Sequence, residues 1–220
     1  MARPTTQQPP KGARHRVRQS AARAAYDRDT LYAVLDACRV GHVAIIDNGK
    51  PVSIPSAVAR MGDHLYLHGS NSSRLFKAMA DGCDISVSVC ELDALVVARS
   101  AMHCSMNYRS AVVFGRGEKV AEDEKVALLD AFTEHLIPGS SGHFRPHLAK
   151  EIKATTLIRI GLDEASAKVR TGGPVDDDED IGLSIWAGVI PLTVVQEPAI
   201  DADNLPSGIP RPAFALPPEL

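Results

Sequence analysis

Short β-branched runs follow one another through turns too tight to hold a helical crossover, and that spacing decides the fold class. Residues 42–46 and 51–59 flank Asp47-Asn48-Gly49-Lys50, where Asn-Gly supplies the positive φ angles of a hairpin turn. Met61-Gly62-Asp63 makes a second tight turn before a third strand at 64–68. Runs rich in Val and Ile at 84–90, 94–100 and 108–115, and a β-branched run at 155–160, continue the series. Strands joined this closely pair antiparallel. Six or more of them, with few and short helices, predict a closed or split β-barrel. No internal repeat accompanies them.

The helices are read from apolar spacing and stop signals. Asp29-Thr30 can cap a helix over 31–39, where Leu31, Val34, Leu35 and Cys38 recur at helical spacing before Gly41. Residues 72–80 form a second helix ended by Asp81-Gly82, and 122–137 a third ended by Pro138-Gly139. A short one is expected at 147–153.

With 220 residues the chain can hold one sizeable core plus tails. The expected division is a basic arm at 1–25, a barrel domain at 26–195 and a Pro-rich arm at 196–220. The first arm holds Arg3, Lys11, Arg14, Arg16, Arg18 and Arg23 with no acid, which suits a solvated arm better than a transit peptide. A net charge of −3 draws the chain neither to nucleic acid nor to an anionic membrane. No apolar run reaches the roughly 18 to 20 residues that span a bilayer. Cys38, Cys83, Cys90 and Cys104 lack CxxC spacing and sit mostly in apolar runs, so buried reduced thiols and a cytoplasmic location are expected.

Chemistry concentrates at 65–77, where a strand runs through Gly69-Ser70-Asn71-Ser72-Ser73-Arg74 into a helix. Unpaired N–H groups with the hydroxyls of Ser70, Ser72 and Ser73 and the cation of Arg74 make a phosphate cradle; the same residues also suit an ordinary N-cap. His64, Tyr66 and His68 alternate along the strand and share a face. Adding His103 and Cys104 would supply metal donors, but no ligand spacing supports a metal site. Arg109 and Ser110 offer a second wall for an anion, against the simpler reading of exposed edge residues. Gly115-Arg116-Gly117 lacks a βαβ context and is a turn, and the acidic run at 176–180 reads as an exposed loop. Trp186 is either a core or interface anchor or a ring beside a flat cofactor.

The segments Arg23-Ala24-Ala25-Tyr26-Asp27, Gly41-His42-Val43-Ala44, Pro51-Val52-Ser53-Ile54-Pro55, Leu65-Tyr66-Leu67-His68-Gly69, Ser73-Arg74, Asn107-Tyr108-Arg109-Ser110 and Trp186-Ala187-Gly188-Val189-Ile190-Pro191 occur in an order and spacing that resembles the pyridoxamine 5'-phosphate oxidase-like flavoproteins, nearest the nitroimidazole-resistance reductases. The resemblance implies a mainly β fold with short helices, a six-stranded antiparallel split β-barrel of FMN-binding type. It also implies a homodimer with FMN at the subunit interface. Ser73 and Arg74 would hold the phosphate with Ser70 and with Lys77 or Arg109. Ile54, Pro55, Ser56, Ala57 and Val58 would give backbone contacts to the flavin ring, His68 and Gly69 would line it, and Ser110 and Trp186 would complete the site. His68 is the implied catalytic residue, orienting the acceptor or donating a proton. The implied activity is reduction of a small flat acceptor, a nitroaromatic or quinone. Two other readings stand: a pyridoxamine 5'-phosphate oxidase, which Leu75 after Arg74 and the long C-terminal arm disfavour, and a flavin- or haem-binding module without turnover. A deazaflavin in place of FMN is a further option.

Overall fold

Pro51 and Pro55 each remove a ladder donor from the second arm of the first hairpin, so that arm belongs at a sheet edge. A computed structural model, which describes Pro9 and residues 11–214, places it there. In chain order the elements are β1 (Ala24–Ala25), α1 (Arg28–Ala37), β2 (Val40–Asp47), β3 (Lys50–Ala57), β4 (Ala59–Met61), β5 (His64–Ser70), α2 (Arg74–Ala80) and β6 (Asp84–Val97). They continue with β7 (Ser105–Arg116), β8 (Glu118–Lys119), α3 (Glu122–Leu136), α4 (Ala149–Ala154), β9 (Thr155–Gly161), β10 (Glu164–Arg170) and β11 (Gly188–Pro191). All strand pairs are antiparallel.

A seven-stranded sheet runs β1-β10-β7-β6-β2-β3, with β11 added to β6, and a four-stranded sheet runs β4-β5-β9-β8. Their facing sides close on one core. Val43, Ile45, Val87, Val89, Ala111 and Val113 of the larger sheet meet Leu65, Leu67, Ile158 and Ile160 of the smaller. Leu31, Val34 and Leu35 of α1, and Leu75, Phe76 and Met79 of α2, pack into the same cluster. The result is the mainly β split barrel the sequence predicts. On the outer side of the smaller sheet, Tyr66 and Leu157 meet Leu129 and Phe132 of α3 in a second cluster. Alternation along β5 thus sends Leu65 and Leu67 into the barrel and turns Tyr66 toward α3.

Several expectations need correcting. Asp27, not Asp29-Thr30, caps α1, its side chain accepting from the Thr30 N–H at 2.8 Å. The run at 51–59 breaks at Val58, where the chain leaves the larger sheet for the smaller. The runs at 84–90 and 94–100 are one strand, β6, with a bulge between Leu92 and Ala94 that absorbs the extra residue. Residues 11–20 are not a freely solvated arm: Arg14 pairs with Glu164 and Asp84 and stacks on Phe114. Cys38 is buried, but Cys90 and Cys104 are exposed and Cys83 is half-buried. The acidic run is pinned, since Asp176 accepts from the Arg99 N–H and its guanidinium, each at 2.7 Å.

Beyond β11 the chain has no helix or strand through residue 214, as its prolines require. It folds back so that the Gln196 side chain donates to the Phe214 carbonyl at 3.3 Å, while Arg211 pairs with Asp201. Pro217 and Pro218 lie outside the described residues. Among the described residues no helix is long and apolar enough to cross a membrane.

Candidate functional site

The turn at the end of β5 is stitched down by Asn71, whose N–H donates to the Ala154 carbonyl at 3.0 Å and whose amide donates to the Lys153 carbonyl at 2.6 Å. That leaves the serines facing out. Ser70 and Ser72 share a hydroxyl hydrogen bond of 2.8 Å, and Ser72 N–H donates to Ser70 Oγ. Ser73 stands at the N-cap of α2, yet its side chain makes no capping hydrogen bond. The capping reading therefore leaves its hydroxyl unaccounted for. Arg74 is exposed and pairs with Asp47 at 3.2 Å across the barrel mouth. Lys77 follows one helical turn later on the same exposed side.

Gly69 has a different duty from lining a ligand. A Cβ there would lie 2.2 to 2.8 Å from the Phe76 ring, so the glycine exists to admit that ring into the barrel. Val58 is fully buried, which confines any ligand contact to its neighbours. Ile54 turns its side chain into the core, and Pro55, Ser56 and Ala57 follow along β3. Since β3 is an edge, its outward backbone groups from Ile54 to Ala57 have no strand partner and can pair with a flat heterocycle.

The proposed second wall is otherwise engaged. Arg109 grips Asp93 through Nε and Nη2 at 2.8 to 3.1 Å, its guanidinium held in charged form by that carboxylate, and Ser110 Oγ donates to the Lys168 carbonyl at 3.2 Å. Trp186 is 64% exposed and folds over Gly188 just before β11. It shares no hydrogen bond, ion pair or ring contact with the Ser70–Arg74 turn among the described residues. The structure thus unites Ser70, Ser73, Arg74 and Lys77 and leaves Arg109, Ser110 and Trp186 elsewhere on the molecule.

His68 faces α3. Its ring meets Phe132 edge-on at 4.6 Å and opens onto a cavity of about 160 Å³ that Leu129, Thr133, His147 and Ile152 also line. The cavity continues, through Thr133, His147, Glu151 and Ile152, into a crevice of about 1160 Å³ between α3 and residues 140–153. That exceeds the roughly 300–1,000 Å³ of an ordinary small-molecule pocket. The apolar surroundings push the His68 imidazole below its usual pKa, so it is neutral at pH 7. No hydrogen bond to its ring is made among the described residues.

Across the cavity His147 Nε2 lies 2.8 Å from Asp130 Oδ1. Glu151 accepts from the Leu148 N–H at 2.9 Å and from Arg145, which together hold its carboxyl down at about 2. Glu134 accepts from the N–H groups of Gly139 and Ser141, each at 2.7 Å, and so fixes the turn that forms the crevice wall. The pair His147–Asp130 and the crevice escaped the sequence reading. His147 and Asp130 are 17 residues apart, and only the return of the chain past α3 brings them together. His64 and Tyr66 are neighbours at 6.2 Å, but His103 and Cys104 lie at the far end of β6–β7, and no metal cluster forms among the described residues.

These features define an antiparallel split barrel with a hydroxyl-rich turn at the end of one strand, β5, and an open crevice over that strand's outer face. Residues 27–169 match the family model described as pyridoxamine 5'-phosphate oxidase, and the chain belongs to that family. No functionally curated protein matches it. Among solved structures, the flavocytochrome Anf3 from Azotobacter vinelandii is 40% identical over 94% of this chain and 96% of its own, with a TM-score of 0.88. The FAD and heme binding protein from Mycobacterium smegmatis is 39% identical over 86% of this chain and 94% of its own, with a TM-score of 0.84. A proposed 5-nitroimidazole antibiotic resistance protein from Bacteroides thetaiotaomicron shares the fold at 19% identity and a TM-score of 0.56, covering 66% of this chain and 86% of its own.

Proposed function

We propose that this chain is a redox protein that binds a flavin at the Ser70–Lys77 turn and a haem in the crevice below α3. The observation that carries the reading is His68, a neutral imidazole with no hydrogen-bond partner among the described residues, set at the head of a crevice large enough for a macrocycle. A metal needs a neutral imidazole with a free lone pair. The kinship with two proteins described by flavin and haem, at 40% and 39% identity, supports it. Because the second of these is described by FAD, that flavin is favoured over the FMN that the resemblance implies.

The residues present fit both groups. Ser73 has an uncommitted hydroxyl and Arg74 an exposed guanidinium for a phosphate, and the free edge of β3 suits the polar rim of a flavin ring. His68 is the imidazole for haem iron, with Leu129 and Ile152 as apolar walls and Arg145 and Lys153 as cations lining the crevice. A bound flavin takes up two electrons and can release them singly, which is what a one-electron haem requires. His68 and the turn are on one strand, so β5 would hold both groups in fixed relation. Oxidation of pyridoxamine phosphate is not proposed, because Leu75 is buried in the barrel and offers no cation.

A homodimer completes the reading. The outer side of the larger sheet carries small residues, Ala44, Ser53, Ser86 and Ser88, flanked by the exposed apolar Val40 and Ile46. A flat face of this kind suits a second copy, which would also cover Trp186 and bring it toward the flavin. The test is titration of the apoprotein with FAD, FMN and haemin. FAD should quench at lower concentration than FMN, and haemin should yield a Soret band that His68→Ala abolishes. Failure to bind any flavin and haemin alike would overturn the reading.

A further inference from the structure

Between the Ser70–Arg74 turn and the crevice stands a helix with little of its own to hold it. α4 has six residues, fewer than a helix needs to be stable alone, and none is buried; Ile152 packs only in part against the cluster around Phe132. Yet α4 supplies Glu151, Ile152 and Lys153 to the crevice, and Thr155 just after it lines the cavity beside His68. Its order depends on ties from outside. Lys125 Nζ, buried on α3, donates to the Ile152 carbonyl at 3.3 Å. The C-terminal end is held from the turn: Asn71 donates from its N–H to the Ala154 carbonyl at 3.0 Å and from Nδ2 to the Lys153 carbonyl at 2.6 Å, and its Oδ1 accepts from Thr156 Oγ1 at 3.3 Å. Both carbonyls fall in the last turn of the helix, which has no donors of its own for them. On either side of Asn71 are the bonded hydroxyls of Ser70 and Ser72, and Ser70 pairs with Thr155 in the β5–β9 ladder.

We propose that Asn71 couples the two cofactor sites: a flavin that fixes the Ser70–Arg74 turn also orders α4, so that the crevice binds haem more tightly, and haem tightens the flavin in return. The proposal rests on the flavin and haem reading above. Its sign follows from where the ordering cost falls. A phosphate held by the hydroxyls and N–H groups of the turn fixes the backbone on both sides of Asn71, and the Asn71 amide is then fixed on the last carbonyls of α4. The second ligand meets a wall that is already ordered and loses less freedom in binding to it. Linkage makes the effect equal in both directions. Asn71 is a positioning residue, acting through the placement of Ile152 and Lys153 in the crevice wall.

The experiment titrates the full chain with FAD and with haemin, each in the absence and presence of the other, and follows amide hydrogen exchange of the ligand-free protein as FAD alone is added. Haemin should bind about fivefold tighter or more once FAD is present, FAD should gain by the same factor from haemin, and both factors should fall to near one in Asn71→Ala. FAD alone should slow exchange over α4 in the wild type and not in Asn71→Ala. A variant that was merely less stable would weaken both ligands and keep their ratio, so the ratio separates coupling from stability. Equal affinities with and without the other cofactor would overturn the proposal, as would a coupling factor that survives in Asn71→Ala. Unchanged exchange over α4 in a wild type that binds FAD would overturn it as well, and that arm stands even if Asn71→Ala folds poorly. A wild type that takes up no FAD or no haemin would instead bring down the reading on which the proposal rests, an outcome distinct from the others.

Discussion

Gly69 and Arg74 lie five residues apart on one turn and answer to different forces. The glycine is a packing residue, because the Phe76 ring fills the place of its Cβ. Gly69→Ala should overpack the barrel at a cost of about 1–3 kcal/mol, lowering Tm by about 2–4 °C per kcal/mol in a chain of this size, as calorimetry would register. Arg74 is exposed and its pair with Asp47 contributes little to stability. Arg74→Ala should leave Tm nearly unchanged but remove a charge-assisted phosphate bond of about 1.5–3 kcal/mol, weakening flavin binding about tenfold or more in a fluorescence titration. Burial lowers the pKa of both His68 and His135 from 6.5. Each stays neutral in the fold while the unfolded chain takes up protons, so the stability they contribute is present above pH 6.5 and falls as pH drops through their lowered values. The ligand-free protein should therefore lose Tm between pH 7 and pH 5, and His135→Gln should flatten that slope. The start of α2 at Ser73-Arg74 was legible because its signal is local. Gly69 was legible as a glycine but not in purpose, since Phe76 reaches it only through the barrel.

Elements were legible where their own pattern is strong. The Asn48-Gly49 hairpin, with φ of 50° and 75°, stands where the turn chemistry puts it. β10 was missed because Glu164-Ala165-Ser166-Ala167-Lys168-Val169-Arg170 is poor in β-formers, although Ala165, Ala167 and Val169 do alternate into the core. Its small residues make sense only under α1 and between β1 and β7. The single strand β6 was read as two runs, and Asp93 between them is a bulge residue that grips Arg109. Two loops are held by single side chains. Glu134→Ala would strip the carboxylate from the Gly139 and Ser141 N–H groups, and limited proteolysis should then cut at 138–144 while the barrel core stays resistant. His103 Nδ1 donates to the Val175 carbonyl and the ring faces Asp177, which together raise its pKa. Its contribution is full below 6.5 and is lost as pH rises through that raised value, so hydrogen exchange at 175–180 should quicken in mild alkali.

At the scale of the whole molecule, one strand separates two unlike environments. The turn that ends β5 is polar and open, while its outer face looks into a crevice walled by α3 and α4. A chain that had only to bind a flavin would need the first and not the second. The exposed apolar residues at Val40, Ile46, Trp186, Val189 and Ile190 add a surface that a monomer would leave wet, and light scattering should report a dimer that charged substitutions at Ile46 dissociate. Fold class followed from strand spacing and family from ordered motifs, because both depend on near neighbours in the chain. The crevice did not, for α3, the turn at 138–144 and α4 contribute to it from separate stretches. The absorption spectrum of the purified, full-length protein, with mass analysis of what heat and acid release, tests the central claim most directly. The account predicts flavin bands with the mass of FAD together with a Soret band, both present in one species. A protein with flavin bands alone, which also refuses added haemin, would contradict it.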